Sequence, residues 1–281
     1  VFVSANWLLS QMGKDFRANA LLVDSNGEDI LQDLDRALQS SCSIADYGLK
    51  TIEHRWGGYL SLQSEGMLLT DSQVDAARKA ASEAGAECAL TSVYLATAIR
   101  KEGQSGGIPY SIVAAVEPLD RFWLQEGQES GPGPGSVWLN NWAVADLRTT
   151  PGDRIELVYL VSAPDGTYTE SSITLTLTGI VEMTGPAVDR GIVPLFEGIT
   201  DASRIDEWSA PFPVELDRIR PQDESYWENY KATPKAFINL NTARELWKTG
   251  SAGPGAGWVT SVRLRPDGGD RWTDVSTLNR V

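Results

Sequence analysis

His54 is the single histidine of the chain, so it restricts every reading that needs an imidazole. A Ser-His-Asp or Cys-His site would have to use it as the base. It stands in Thr51-Ile52-Glu53-His54-Arg55-Trp56, where the alternation reads as an exposed strand position. No G-x-S-x-G, H-E-x-x-H or P-loop spacing supplies a nucleophile, a metal pair or a phosphate cradle. Carboxylates are plentiful, 38 in all, for example Asp217 with Asp223 and Glu224. Glycoside hydrolysis, however, needs a set distance between two carboxyls, which spacing along a chain does not give. Asp24-Ser25-Asn26-Gly27-Glu28-Asp29 and Asp267-Gly268-Gly269-Asp270 have the oxygen-rich character of calcium loops. Both lack the twelve-residue pattern and its closing Glu, and they read as turns. These residues nominate no catalytic, cofactor-binding or metal-ligating side chain.

Two cysteines, Cys42 and Cys88, are too few for a zinc site and form no C-x-x-C. They read as two separate small thiols. In an oxidising compartment a bridge between them would close a loop of about 46 residues, contributing roughly 4 kcal/mol. Ten tryptophans form a third class of candidate. Trp138 and Trp142 lie four apart, and Trp123, Trp208, Trp227, Trp247 and Trp258 are scattered, serving either as core or as sugar-stacking platforms.

The charge balance is strongly acidic, with 24 Lys and Arg against 38 Asp and Glu and a net charge of −14. Such a surface repels phosphate backbones, so nucleic acid is not an expected partner. The apolar share of 42% is ordinary for a folded protein, and the length allows one large domain or two smaller ones. No apolar run reaches the length of a membrane span. Val1 to Leu9 opens abruptly, without Met and without a basic leader, and the chain reads as a piece of something longer.

The elements that must carry these residues alternate at first. Residues 1–17 read as a helix, Ala20 to Val23 as a short strand, Asp24–Gly27 as a turn and Asp29 to Leu38 as a helix. Leu49–Trp56 and Tyr59–Leu69 form a hairpin across Gly57-Gly58. Asp71 is the expected N-cap of a helix with Val74, Ala77, Ala81 and Ala84 on one face, and Gly85 is its expected C-cap. Strands follow at 88–100 and 108–116. After Pro118 the pattern changes to a loop at 127–136, a short helix capped by Asn140 or Asn141, and a hairpin of 154–161 with 167–181. There Ile173, Leu175 and Leu177 alternate with threonines. Pro234 then precedes a strand (236–240), a helix through Trp247 and a strand (258–264), a compact βαβ pattern.

Two stretches carry a resemblance. One is Asp223-Glu224-Ser225-Tyr226-Trp227-Glu228-Asn229-Tyr230-Lys231-Ala232-Thr233-Pro234-Lys235-Ala236-Phe237-Ile238-Asn239-Leu240, with Ala243–Trp247 and Val259–Leu264 after it. The other runs from Leu68-Leu69-Thr70-Asp71 to Tyr94-Leu95-Ala96 and Ile108-Pro109-Tyr110-Ser111. Together with Pro151-Gly152-Asp153, Gly179-Ile180-Val181, Asp189-Arg190-Gly191 and Pro211-Phe212-Pro213, they resemble the extracytoplasmic region of FtsX-like, MacB-type ABC-transporter permeases, over about residues 20–265.

The resemblance implies an α+β fold, a porter-like split βαβ subdomain interrupted by a β-rich, sabre-like subdomain. The expected sections are 1–118, 119–232 and 233–281, and 119–232 is expected to be replaceable by a linker. It also implies a non-enzymatic domain on the periplasmic side of a bacterial membrane, passing ATP-driven motion to an envelope substrate or partner. The implied partners are a cytoplasmic ATPase domain or subunit, a second copy in a dimer and an envelope protein. Val1–Phe16 and Asp274–Val281 would be stalks reaching one membrane surface. The rival expectation is a secreted carbohydrate-binding module built on the tryptophans.

Overall fold

The computed structural model describes residues 3–11, 30–55, 57–117, 131–163, 165–196, 198–210, 212–248 and 257–266. The chain divides into two compact units, residues 1–43 and 44–281. In the first lie two helices, α1 (Ala5–Gln11) and α2 (Leu31–Ser41). The strand at 20–23, the turn and acidic loop at 24–29, the loop at 267–270 and the returning stalk fall outside the described residues.

The second unit is built on a nine-stranded sheet. Its strands are β1 (Leu49–His54), β2 (Tyr59–Ser64), β3 (Ala86–Lys101), β4 (Ile108–Val116), β5 (Ser136–Asn140), β6 (Arg154–Ser162), β7 (Tyr168–Val181), β8 (Ala236–Ile238) and β9 (Ser261–Pro266). The spatial order is β1-β2-β9-β3-β4-β8-β5-β7-β6, and β6 returns to pair with β3. Six strands, β3, β4, β8, β5, β7 and β6, thereby close a barrel. Its β4–β8 and β5–β7 pairs are parallel and the other four antiparallel.

Local sequence explains most elements. Helix α3 (Asp71–Glu83) starts in a capping box: Thr70 Oγ1 accepts from the Gln73 amide, and Gln73 Oε1 accepts from the Thr70 amide. Its Val74, Ala77 and Ala81 pack on Leu60, Leu90, Val262 and Leu264 of the sheet extension. Helix α4 (Asn141–Leu147) is capped by Asn140, whose Oδ1 accepts from the Ala143 amide at 2.7 Å. Helix α5 (Pro221–Tyr230) begins with proline in its first turn, where a missing N–H costs nothing. The barrel interior is filled by Ile99, Ile108, Val113, Leu139, Ile155, Leu157, Leu177 and Ile238, to which α4 and α6 (Leu240–Lys248) add Leu147 and Trp247. On the outer face Val93, Ile112, Trp138 and Phe237 are covered by residues from 181–232, among them Ile192, Ile205 and Trp227.

This architecture overturns the porter-like α+β expectation with its β-rich interruption. A closed mixed six-stranded barrel with three added strands stands in its place. The physical reason is a short strand. Three residues of β8 hydrogen-bond to β4 on one side and β5 on the other, so the ring closes through all three expected sections. The β8–α6–β9 run does form a strand–helix–strand unit. Its two strands, however, lie on opposite sides of the β3–β4 pair.

Replacing 119–232 by a Gly/Ser linker removes β5, β6 and β7, half of the barrel. The product is expected to lose its cooperative thermal transition, followed by far-UV circular dichroism; a sharp melt near that of the parent chain would show that the flanks fold alone.

Candidate functional site

Two buried polar clusters emerge, and each contains side chains whose chemistry could serve a site. The first centres on His54. The β1–β2 hairpin sets His54 opposite Tyr59, and the two rings stack with centroids 4.5 Å apart. His54 Nε2 lies 2.8 Å from Ser61 Oγ, and the Tyr59 hydroxyl donates to Asp189 Oδ2 at 2.8 Å. Asp189 Oδ1 accepts from the Gly191 amide at 2.8 Å. A Cβ on Gly191 would stand 2.2 Å from His54 Nδ1 and 2.6 Å from the Tyr59 hydroxyl, so glycine permits the approach.

His54 is therefore half-buried, not an exposed strand residue. The alternation was real, but the segment around Asp189 lies over that face. Ser61 and His54 stand at the distance of a nucleophile–base pair. Ser61 is fully buried, however, and Asp189 bonds Tyr59 and Gly191 instead of the imidazole. No substrate carbonyl can reach that hydroxyl without unfolding the hairpin. Burial lowers the His54 pKa, opposed by Asp189 and reinforced by Arg263, so the ring is neutral at pH 7. Burial and Asp189 together push the Tyr59 phenol well above its usual range.

The same face continues across β9 and β3. Ser61 pairs with Arg263, and Ser261 with Thr91. All four are fully buried, with Gln63 at 2% exposure beside them. Arg263 Nη2 donates to the Glu117 carbonyl at 3.2 Å, and burial pulls the guanidinium down to about 10. Gln63 Oε1, Thr91 Oγ1 and Ser261 Oγ find no hydrogen-bond partner among the described residues. Each such group costs about 1–3 kcal/mol, comparable to what one buried leucine contributes.

The second cluster surrounds Lys235, just before β8. Its amide donates to the Ile112 carbonyl of β4, and its carbonyl accepts from the Asn140 amide of β5. The backbone of one residue thus bridges two barrel strands, and the side chain is only 4% exposed. The ammonium sits 4.4 Å from the ring centroid of Tyr226 and 4.7 Å from that of Trp142. Asn140 Nδ2 donates to the Tyr226 hydroxyl at 2.9 Å, and that hydroxyl donates to the Thr233 carbonyl. Arg220 binds Asp223 through Nε and Nη2, at 2.8 Å each, and Asp146 at 2.9 Å. Burial pulls Lys235 down to about 8, countered in part by Asp223.

Of the carboxylates raised by sequence, Asp223 is committed to Arg220, and Glu224 accepts from the amides of Ile205 and Asp206. Asp217 is exposed in a 3-10 turn, so the three form no facing pair. Trp138, Trp227, Trp247 and Trp258 are buried, and Trp142 and Trp208 are partly covered. None of these six offers a flat exposed platform; Trp123 lies outside the described residues. Cys42 is exposed and Cys88 half-buried, and both are free thiols. Sequence reasoning missed Tyr59, Asp189, Lys235 and Arg263. The available signal was the cation itself: Lys235 directly precedes the apolar Ala236-Phe237-Ile238, and Arg263 stands between Val262 and Leu264.

Two outcomes test these clusters. Gly191→Ala should displace His54 and Tyr59 and lower stability by about 1–3 kcal/mol, read as a shifted urea midpoint. For Lys235, the folded pKa lies below the unfolded 10.5, so the unfolded chain binds more protons between pH 8 and 10.5. Stability therefore rises with pH across that window and the burial penalty stands in full below it, on the order of 3 kcal/mol. Lys235→Met should flatten this rise relative to the parent chain.

Compared with known proteins, the chain matches no family model, and no curated protein matches it significantly.

Proposed function

We propose that the chain is a non-enzymatic, extracytoplasmic domain of an FtsX-like, MacB-type ABC-transporter permease. On this reading it relays ATP-driven movement of membrane helices to an envelope substrate or partner. The observation that carries the reading is spatial. The two stretches that resemble the family are separated by more than a hundred residues, yet they form one patch of sheet. β3 of the first pairs with β9 of the second, and β4, in which the first stretch ends at Ser111, pairs through Val113–Ala115 with β8 of the second. The residues Tyr226, Thr233 and Lys235 of the second stretch form the hydrogen-bonded and cation–π cluster at that seam.

Mechanical work needs stiffness along one direction. β3 runs for sixteen residues, about 50 Å of extended chain, from the added strands into the barrel, with a register shift at Ala96–Ala98. A pull on the β1-β2-β9 side is thereby carried along one strand to the β6–β7 hairpin. The porter-like fold implied by the same resemblance is not adopted, so the reading rests on the paired segments and on this strand. Among the described residues no helix is long and apolar enough to cross a membrane, and the membrane helices belong to the parent on this reading. The ATPase and a second copy of the chain are the partners the mechanism requires.

Cys42 supplies the test because it is exposed and free. In intact spheroplasts of the source cell, a membrane-impermeant maleimide should label Cys42 without lysis, and Cys42→Ser should abolish the signal. Labelling that appears only after lysis would place the chain inside the cell and remove the proposal.

A further inference from the structure

Under α5, where residues 199–208 and 232–235 meet β4, lies a crevice lined by Tyr110, Ile112, Trp208, Trp227, Tyr226 and Lys235. Its volume is about 10 Å³, room for one particle the size of a water molecule. Two donors on this lining lack acceptors among the described residues. Lys235 Nζ makes no hydrogen bond there and packs against two aromatic faces. Trp208 Nε1 is buried with no partner among the described residues.

The nearby polar side chains are already engaged with other partners. Both oxygens of Asp223 are held by Arg220. The Tyr226 hydroxyl donates to Thr233 and accepts from Asn140, and Ser111 Oγ donates to the Pro109 carbonyl. A water in the crevice would satisfy both donors but would bring two hydrogens of its own into largely aromatic walls. A small anion accepts and has nothing to donate. The chain carries a net charge of −14, so the global field works against anions, and local donors must do the holding.

We propose that this crevice is a binding site for one small monovalent anion of halide size, held between the Lys235 ammonium and the Trp208 indole N–H. The anion completes the charge of Lys235 at the seam where β4, β8 and β5 join. Binding requires the protonated amine, with Asp146, Arg220 and Asp223 as the surrounding charges and Tyr110, Tyr226 and Lys231 as the other titratable groups of the lining. Occupancy is therefore lost as alkaline pH removes that proton. The proposal is independent of the transporter reading, because it concerns the closure of the barrel whatever the parent does.

The test uses the whole chain at fixed ionic strength, with sodium chloride or bromide exchanged for sodium gluconate, whose anion is too large for the crevice. Halide should raise the melting temperature saturably, by about 3 °C at tenfold excess over half-saturation. Crystals grown in bromide should show an anomalous peak in contact with Lys235 Nζ. Trp208→Phe keeps the ring and removes the N–H, and should raise the half-saturating halide concentration about tenfold. Lys235→Met, if folded, should respond equally to halide and gluconate. An ordered water alone in the crevice, equal responses of the parent chain to the two salts, or an undiminished halide response in Trp208→Phe would overturn the proposal.

Discussion

Backbone hydrogen bonding along β3 is the constraint on which the rest of this unit depends. The strand has only two edges, yet it must satisfy partners in β9, β4 and β6. It does so by length. One edge is shared along the strand: Ala86–Thr91 serve β9, and Ala96–Lys101 serve β6 after an irregularity at Ala96–Ala98. The other edge serves β4 from Thr91 onward. The switch lets a flat extension and a closed ring share a backbone, and it places α3 under one and α4 and α6 against the other. The Tyr94 hydroxyl, donating to the Leu160 carbonyl, ties the interior of the ring to β6 close to that switch.

What the sequence made legible was local. The β1–β2 and β6–β7 hairpins, α3 with its glycine end and the Asn140 cap were readable because turn residues and side-chain period declare themselves over a few residues. The pairing of β3 with β6 links Ala96 to Tyr159, and nothing in either segment encodes the other. β8 was called longer than its three residues, and α5 was read only as part of a resemblance. The polar face of β2, β9 and β3 escaped for a different reason. Alternation assigns polar residues to solvent, and here a second layer covers them, so Ser61, Gln63 and Arg263 broke the rule that made the strands readable. His54 was misplaced by the same logic, since the segment around Asp189 that covers it lies 135 positions on.

The two polar clusters share a design in which charge is kept inside beside aromatic rings. Tyr59 lies between His54 and Asp189, while Trp142 and Tyr226 flank Lys235. In an acidic chain, buried cations are the scarcer charge, and both sit beside strand pairings. Their burial costs stability but restricts which register can form, because a shifted strand would leave Lys235 or Arg263 against apolar neighbours. Lys231 adds a local cost at φ 56° and ψ −137°, a backbone region that few non-glycine residues adopt. It is held by a bond from its amide to the Trp227 carbonyl and from Nζ to the Ser203 carbonyl.

The short β8 also sets the timetable of biosynthesis. The ribosome releases β3 and β4 long before residue 236, and until then the β4 edge that β8 will cover is open. The ring cannot shut until β8 has been made, so its assembly comes well after β3 and β4 and is governed by contacts distant in sequence. Over that interval the nascent strands present unpaired N–H and C=O groups beside apolar side chains, the condition under which chains join edge to edge. The dense acidic charge of the chain is then a protection for the unfinished molecule, keeping neighbouring copies apart until three residues complete the ring.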